Sequence, residues 1–209
     1  MNDLDLTRGD VLVVVDVQND FVNGSLAVPE AADVIAPLNR YIGAFAHKGL
    51  RVVATRDWHP ADHRSFREQG GPWPVHCVAK SAGAAFAAGL RLPEGVWLVS
   101  KATQSDREAY SAFEGTDFDR RLRRLGARRL FIGGLATDYC VRRTVLDAIA
   151  HGYETFVLAD AIRAVDVDPE DGGNAEAEMG RAGAVFVRLE DFEAEAGLNG
   201  WALGPTVNP

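Results

Sequence analysis

The sequence predicts an α/β domain of three layers, α/β/α, with a six-stranded, mainly parallel sheet covered by helices on both faces. Three observations predict it. Six runs are apolar and β-branched without alternation, as in strands buried on both faces. Helical patterns separate these runs, the order expected of parallel strands joined by crossovers. A polar residue closes successive runs: Asp16, Asp57, Lys101, then Cys140 just past the fourth. Open parallel sheets place their ligand crevice at those carboxyl ends, so residues distant in sequence are expected to converge there.

The first run is "VLVVVDV" (11–17). A helical stripe follows within 30–48, where Val34, Leu38, Tyr41, Ile42 and Phe45 share one face. "LRVVATRD" (50–57) and "VWLVSKA" (96–102) are the second and third strands. In "RRLRRLGARR" (120–129), Phe118, Leu122 and Leu125 interleave with arginines at helical spacing, which describes an amphipathic helix with a solvated basic face rather than a binding patch. "RLFIGGLA" (129–136) is the fourth strand, and 138–151 carries a stripe of Val141, Val145, Ala148 and Ile149. "TFVLADA" (155–161), a short helix near 174–182 and "AVFVRLE" (184–190) complete the alternation. The tail "GLNGWALGPTVNP" is rich in Gly and Pro and is expected to be irregular coil. No repeat or low-complexity linker interrupts the chain, so a single domain is expected over 1–209.

Composition narrows the partners. With 209 residues, 47% of them apolar and 25% charged, the chain can bury one sizeable core. A net charge of −8 argues against a nucleic-acid partner, which wants a basic face. No apolar stretch approaches the ~20 residues of a membrane span, and the acidic start "MNDLDLTRGD" is unlike a signal peptide. Two cysteines do not make a secreted disulfide framework, so a reducing cytoplasm is expected. A homo-oligomer is compatible with all of this.

"GGLATDYCVRRTVLDAIAHGY" passes from a strand end through a tight turn into a helix, with Cys140 at the start of that helix. Unpaired N–H groups and the positive end of the helix dipole favour a thiolate there. Asp138 is placed to cap the same helix. Burial as an inert thiol is the commoner fate of a cysteine; the strand-to-helix turn favours a nucleophile. A thiol nucleophile needs a proton acceptor and a charge to steady it. Asp16 and Lys101 end hydrophobic strands, where a charge is costly unless paired or used; the plainer alternative is a structural ion pair. No His occupies a matching strand end, which leaves Asp as the base.

In "TRDWHPADHRSF", Asp57 and His59 stand two apart at a strand end, and "GGPWPVHC" can return His76 to them. One carboxylate with two or three imidazoles suits Zn²⁺, Fe²⁺ or Mn²⁺ and leaves open positions for water or substrate. A polar surface turn is the alternative. His63 is placed as a further ligand, a partner of the ligands, or a packing residue beside Phe66. Cys77 is expected to be a small buried apolar group, and His47 and His151 to be exposed helix-end residues.

Taken together, "VVVDVQNDFVNGSLAVPEA", "TRDWHPADHRSF", "WPVHCV", "KATQSDREAYSAF" and "GLATDYCVRRTVLDA" resemble nicotinamidases of the isochorismatase-like cysteine hydrolase superfamily, over roughly residues 11–190. The resemblance implies a fold of that type and an amidohydrolase converting nicotinamide, with pyrazinamide as analogue, to nicotinate and ammonia in NAD salvage. It implies Asp16, Lys101 and Cys140 as a catalytic triad, the amides of Ala136 and Cys140 as an oxyanion hole, and Phe21 and Trp73 as the aromatics holding the pyridine ring. It implies Asp57, His59 and His76 as ligands of a divalent metal, zinc first with iron or manganese as alternatives. His63 matches a fourth ligand found in some members, and the Leu135–Ala136 peptide is expected to be cis. Two other functions remain open: a sister amidase acting on a carbamoyl or ureido substrate, which would lack the Asp/His set and use an Arg clamp, and a non-catalytic metal-binding module of the same fold.

Overall fold

A computed structural model describes residues 4–192. Six strands form one sheet: β1 (Asp10–Val15), β2 (Arg51–Asp57), β3 (Trp97–Lys101), β4 (Arg129–Leu135), β5 (Glu154–Arg163) and β6 (Val185–Val187). Every pairing is parallel and the order is β3-β2-β1-β4-β5-β6. The strand order reverses between β1 and β4, because the chain first adds strands on one side of β1 and then on the other. Such a reversal leaves a crevice at the carboxyl ends of the two strands.

The continuous apolar runs are explained by burial on both faces. Leu12 and Val14 of β1 face one cluster with Phe131 and Leu158. The helix α2 (Ile35–His47) covers that side with Leu38, Tyr41, Ile42 and Phe45. Val11, Val13 and Val15 face the other cluster with Leu130, Ile132 and Val157. Helices α3 (Phe118–Leu125), α4 (Arg142–Ala150) and α5 (Asp171–Ala182) supply Phe118, Leu122, Val145, Ala148 and Met179 to that second face. Each fully buried aliphatic chain contributes about 1.5–3 kcal/mol, so these two layers hold the strand ends that carry the polar residues.

Several expectations need adjusting. A one-turn helix, α1 (Asn19–Val22), follows β1, too short to show a helical period. Helix α5 starts earlier than its apolar stripe, since Gly172 and Gly173 break the pattern without breaking the helix. Asp138 is not a cap: Cys140 lies in a π-helical turn (Thr137–Val141) ahead of α4, and no side chain caps that turn. The Asp138 carboxylate instead accepts the N–H groups of Val165 and Asp166, each at 3.0 Å. Two donors fixed in a turn between β5 and α5 satisfy a buried carboxylate better than a partly formed helix end. On α3 the basic face pairs internally, Arg123 with Asp119 and Arg120 with Asp117, as a solvated amphipathic helix should. His151 is exposed but also stacks on Phe113, centroids 4.8 Å apart. The tail at 197–209 lies outside the described residues.

The closest backbone approach in the sheet sits beside the crevice. Gly134 has φ +128°, and a Cβ there would lie 2.1 Å from the Val15 carbonyl oxygen. Gly152 is also left-handed, at φ +87°, but has nothing within 4 Å of a Cβ. Gly134→Ala is therefore expected to lose at least about 3 kcal/mol or fail to fold, against about 1–2 kcal/mol for Gly152→Ala. Urea unfolding of the two variants checks this; equal losses would refute it.

Candidate active site

Three strand ends and one turn build the site. Asp16 leaves β1 with φ 49° and Ala102 leaves β3 with φ 50°. Non-glycine residues in this region cost about 1–2 kcal/mol each. Both turn the chain off the sheet at the crevice, where strained backbone accompanies functional side chains more often than elsewhere. The Leu135–Ala136 peptide leading from β4 to Cys140 is cis.

Lys101 is the centre. It is 1% exposed. Its ammonium donates to Asp57 Oδ1 at 2.5 Å, to the Ala109 carbonyl at 3.2 Å and to Cys140 Sγ at 3.3 Å. Those three bonds use its three hydrogens. Asp16 Oδ2 lies 2.9 Å from the same nitrogen, an ion-pair distance, yet has no hydrogen-bond partner. Asp16 Oδ1 accepts the Thr55 hydroxyl at 2.6 Å. One atom each of Asp16, Asp57 and Cys140 lies within 4.8 Å of the others. Asp16 thus keeps an unused acceptor facing the thiol.

Burial and charge compete at each group. Burial alone would lower the Lys101 pKa, but the Asp16 and Asp57 carboxylates outweigh it and hold the ammonium well above its usual range. Burial raises the Asp16 carboxyl, with Lys101 pulling against it. Burial also pushes the Cys140 thiol well up, opposed by Lys101 and reinforced by the two carboxylates. A thiolate favoured by the helix terminus is therefore not the resting state here. The dipole supplies only about 0.3–1 kcal/mol, less than desolvation of an anion. The thiol rests protonated beside an acceptor.

Asp57 joins this group to a second one. Donor atoms of Asp57, His59 and His76 lie within 4.8 Å of one another, all three residues buried. His59 Nδ1 faces the Ala102 carbonyl at 3.2 Å and His76 Nδ1 faces the Pro74 carbonyl at 2.8 Å. A carbonyl can only accept, so both Nδ1 atoms carry hydrogen, and Nε2 is the ring atom that offers a lone pair in the neutral imidazole. His59 Nε2 is buried without a partner, 3.7 Å from Asp57 Oδ2. Burial, then the nearby His76 and His63, press the His59 pKa down to about 2. A neutral imidazole lone pair facing a carboxylate oxygen inside a protein wants a cation between them. The donor set fits a divalent metal.

His63 stands apart from that set. Its ring stacks on His59 with centroids 4.2 Å apart. Its Nε2 donates to the Arg107 carbonyl at 3.1 Å and its Nδ1 bonds the Ser65 hydroxyl at 2.7 Å. Both nitrogens are used, so His63 braces His59 rather than offering a lone pair. Cys77 is fully buried, as expected, and its thiol is pushed far up by burial.

A pocket lies over both groups. Phe21, Trp73, Ala136 and Cys140 line it together with Asp57, His59 and His76. Tyr110, Tyr139, Glu108 and Val165 line it too. Sequence reasoning gave these four no role, although Tyr110 and Tyr139 stand inside "EAYSAF" and "TDYC". Trp73 Nε1 donates to the Tyr110 hydroxyl at 3.2 Å, and the Trp73 and Tyr139 rings meet edge-on at 5.1 Å. Burial lifts the Tyr110 phenol to about 12, so it stays neutral. Aromatic walls over a polar floor suit a flat ring carrying a polar substituent.

Known proteins resemble this chain in sequence and fold. The isochorismatase domain model matches residues 10–191. A nicotinamidase of Escherichia coli (strain K12) is 38% identical over 208 residues, covering 89% of this chain and 98% of its own length. The crystal structure of a pyrazinamidase of Pyrococcus horikoshii in complex with zinc is 49% identical, with a TM-score of 0.83 over 87% of this chain and 99% of that one. PnC1 from L. infantum, solved in complex with nicotinate, is 35% identical, with a TM-score of 0.80 over 88% of this chain and 94% of that one.

Lys101→Met is expected to cost about 3–5 kcal/mol at neutral pH, because it leaves buried carboxylates without their counter-charge. The loss depends on pH. Without Lys101 the Asp16 carboxyl rises further above its unfolded value. A carboxyl raised on folding contributes stability that is full below its unfolded pKa and is lost as pH rises through its folded pKa. Relative to wild type, the variant should therefore recover toward pH 4 and weaken toward pH 7. Urea unfolding across that range measures the difference; a pH-independent one would refute the assignment.

Proposed function

The chain belongs to the isochorismatase family, and on that premise we propose that it is a nicotinamidase: it hydrolyses nicotinamide to nicotinate and ammonia, a step of NAD salvage. Curated nicotinamidases of similar sequence and relatives solved with nicotinate or nicotinaldehyde support this. The observation that carries it is the buried meeting of Asp16, Lys101 and Cys140 beside the Asp57, His59 and His76 donor set.

Cys140 is the nucleophile. As Sγ attacks the amide carbon, its proton passes to Asp16, whose raised pKa makes it a better base than an exposed carboxylate. Lys101 stays charged throughout and steadies the sulfur and the carboxylates. The amides of Ala136 and Cys140 receive the developing oxyanion, an effect of about 3–4 kcal/mol per donor in comparable sites. Asp16 then returns the proton to the leaving nitrogen, the C–N bond breaks and ammonia departs. Water attacks the resulting thioester while Asp16 takes one of its protons. The C–S bond breaks, nicotinate is freed and the thiol is restored.

Asp57, His59 and His76 would hold a divalent metal; zinc is our reading, supported by the zinc-bound relative. When bound, it supplies a Lewis-acidic position for the pyridine nitrogen or its waters. Phe21 and Trp73 pack on the ring and fix its orientation. No Arg or Lys lines the pocket among the described residues, so a carbamoyl substrate bearing a carboxylate would lack a cationic partner. Among those residues no helix is long and apolar enough to cross a membrane. Both cysteines are free, and a cytoplasmic location is our reading of that.

Ammonia release from nicotinamide, compared with N-carbamoyl amino acids, tests the assignment; turnover of the latter alone would refute it. Cys140→Ser should lower kcat by roughly three orders of magnitude or more while nicotinamide still binds and the melting temperature holds. A variant that keeps its rate would rule out Cys140 as the nucleophile, and a wild type with no turnover of any amide would point to a non-catalytic module. Trp73→Leu should raise KM by about tenfold with a smaller change in kcat; the reverse split in steady-state kinetics would count against a ring-binding role.

A further inference from the structure

The β1–β2 ladder ends at the pairing of Val14 with Ala54. One more bond follows, from the Asp16 N–H to the Thr55 carbonyl at 3.3 Å. The left-handed turn at Asp16 then takes the backbone away, and Asp57 is left without a strand residue beside it on that side. The side chain of Gln18 takes that place. Its Oε1 accepts the Asp57 N–H at 2.8 Å and its Nε2 donates to the Asp57 carbonyl at 2.9 Å. The second Nε2 hydrogen goes to the Ala84 carbonyl at 2.9 Å. Gln18 is fully buried, and both amide hydrogens and the oxygen are engaged. A side-chain amide here does the work of a strand's peptide group.

The third bond reaches the loop that carries His76. The same short segment holds that loop by further bonds: Asp20 accepts the Cys77 N–H at 2.7 Å, Asn19 Nδ2 and the Asp20 N–H donate to the Ala82 and Gly83 carbonyls at 2.8 and 3.0 Å, and the Asn19 N–H donates to the Ala85 carbonyl at 2.9 Å. Gln18 therefore ties the backbone of one ligand, Asp57, to the segment presenting another, His76, without touching either donor atom. We infer that Gln18 is a positioning residue for the cation site, setting the distance between the Asp57 carboxylate and the imidazoles. No other residue type meets the demand. Glu offers no donor when ionised and only one when protonated where two carbonyls need one each, Asn is one methylene too short to span both segments, and an apolar side chain leaves three buried backbone groups unpaired.

This rests on Asp57, His59 and His76 being cation ligands. The test uses the full-length chain as wild type, Gln18→Glu and Gln18→Met, the second removing the amide without burying a charge. Zinc affinity is measured by chelator competition, and exchange of the Asp57 amide hydrogen is followed in metal-stripped protein. Both variants should bind zinc about 10–100-fold more weakly, the range for groups that orient metal ligands. Their Asp57 amide should exchange faster without metal, and KM for nicotinamide should rise more than kcat falls at saturating zinc. Wild-type zinc affinity in a variant that merely melts earlier would overturn the inference and make Gln18 a packing residue. If wild type itself binds no divalent cation, the ligand assignment fails and this one with it, a result distinguishable from the first.

Discussion

One buried ammonium governs the crevice. Lys101 lies among two carboxylates and a thiol with almost no access to water. A lone cation could not be kept there, and neither could either carboxylate; the group is stable only as a set. Three hydrogens serve four neighbours, so they are shared, and Asp16 Oδ2, 2.9 Å from the ammonium, lies in the same buried group as the Cys140 thiol.

The sheet makes this gathering cheap. Four parallel strands end at one rim, and the reversal of strand order between β1 and β4 opens a gap between the chains that bear Asp16 and Cys140. Asp57 has a double duty at the rim. One of its oxygens meets Lys101 and the other faces His59, so the Lys101–Cys140 group and the His59–His76 set share a wall. Small errors in the backbone of Asp57 would be felt on both sides, which is the physical reason for a side-chain amide clamping its two peptide groups.

Much of this was legible in the sequence. All six strands were, because burial on both faces writes an unbroken apolar run, and the polar residues closing those runs marked the crevice. What was not legible depends on three-dimensional partners. The single turn of α1 is shorter than a helical period. Asp138 has the sequence position of a cap, but backbone donors from the β5–α5 turn claim its carboxylate. His63 has the spacing of a ligand, yet Ser65 and Arg107 occupy both of its nitrogens. Tyr110 enters the pocket from a loop and Tyr139 from a single π-helical turn, and neither segment is long enough to show a period. A glutamine three residues past a strand end gives no hint of which peptide group it will meet.

The strand order also bears on how the chain comes to be folded. β1 is central, but its second neighbour, β4, begins more than a hundred residues later in the chain. On the ribosome the first three strands can assemble while one flank of β1 still presents bare peptide groups and valines. Until the next strand emerges, that flank is a template for pairing with another nascent chain. Parallel pairing across so long a loop is slow, so this is the interval in which the polypeptide most needs a chaperone.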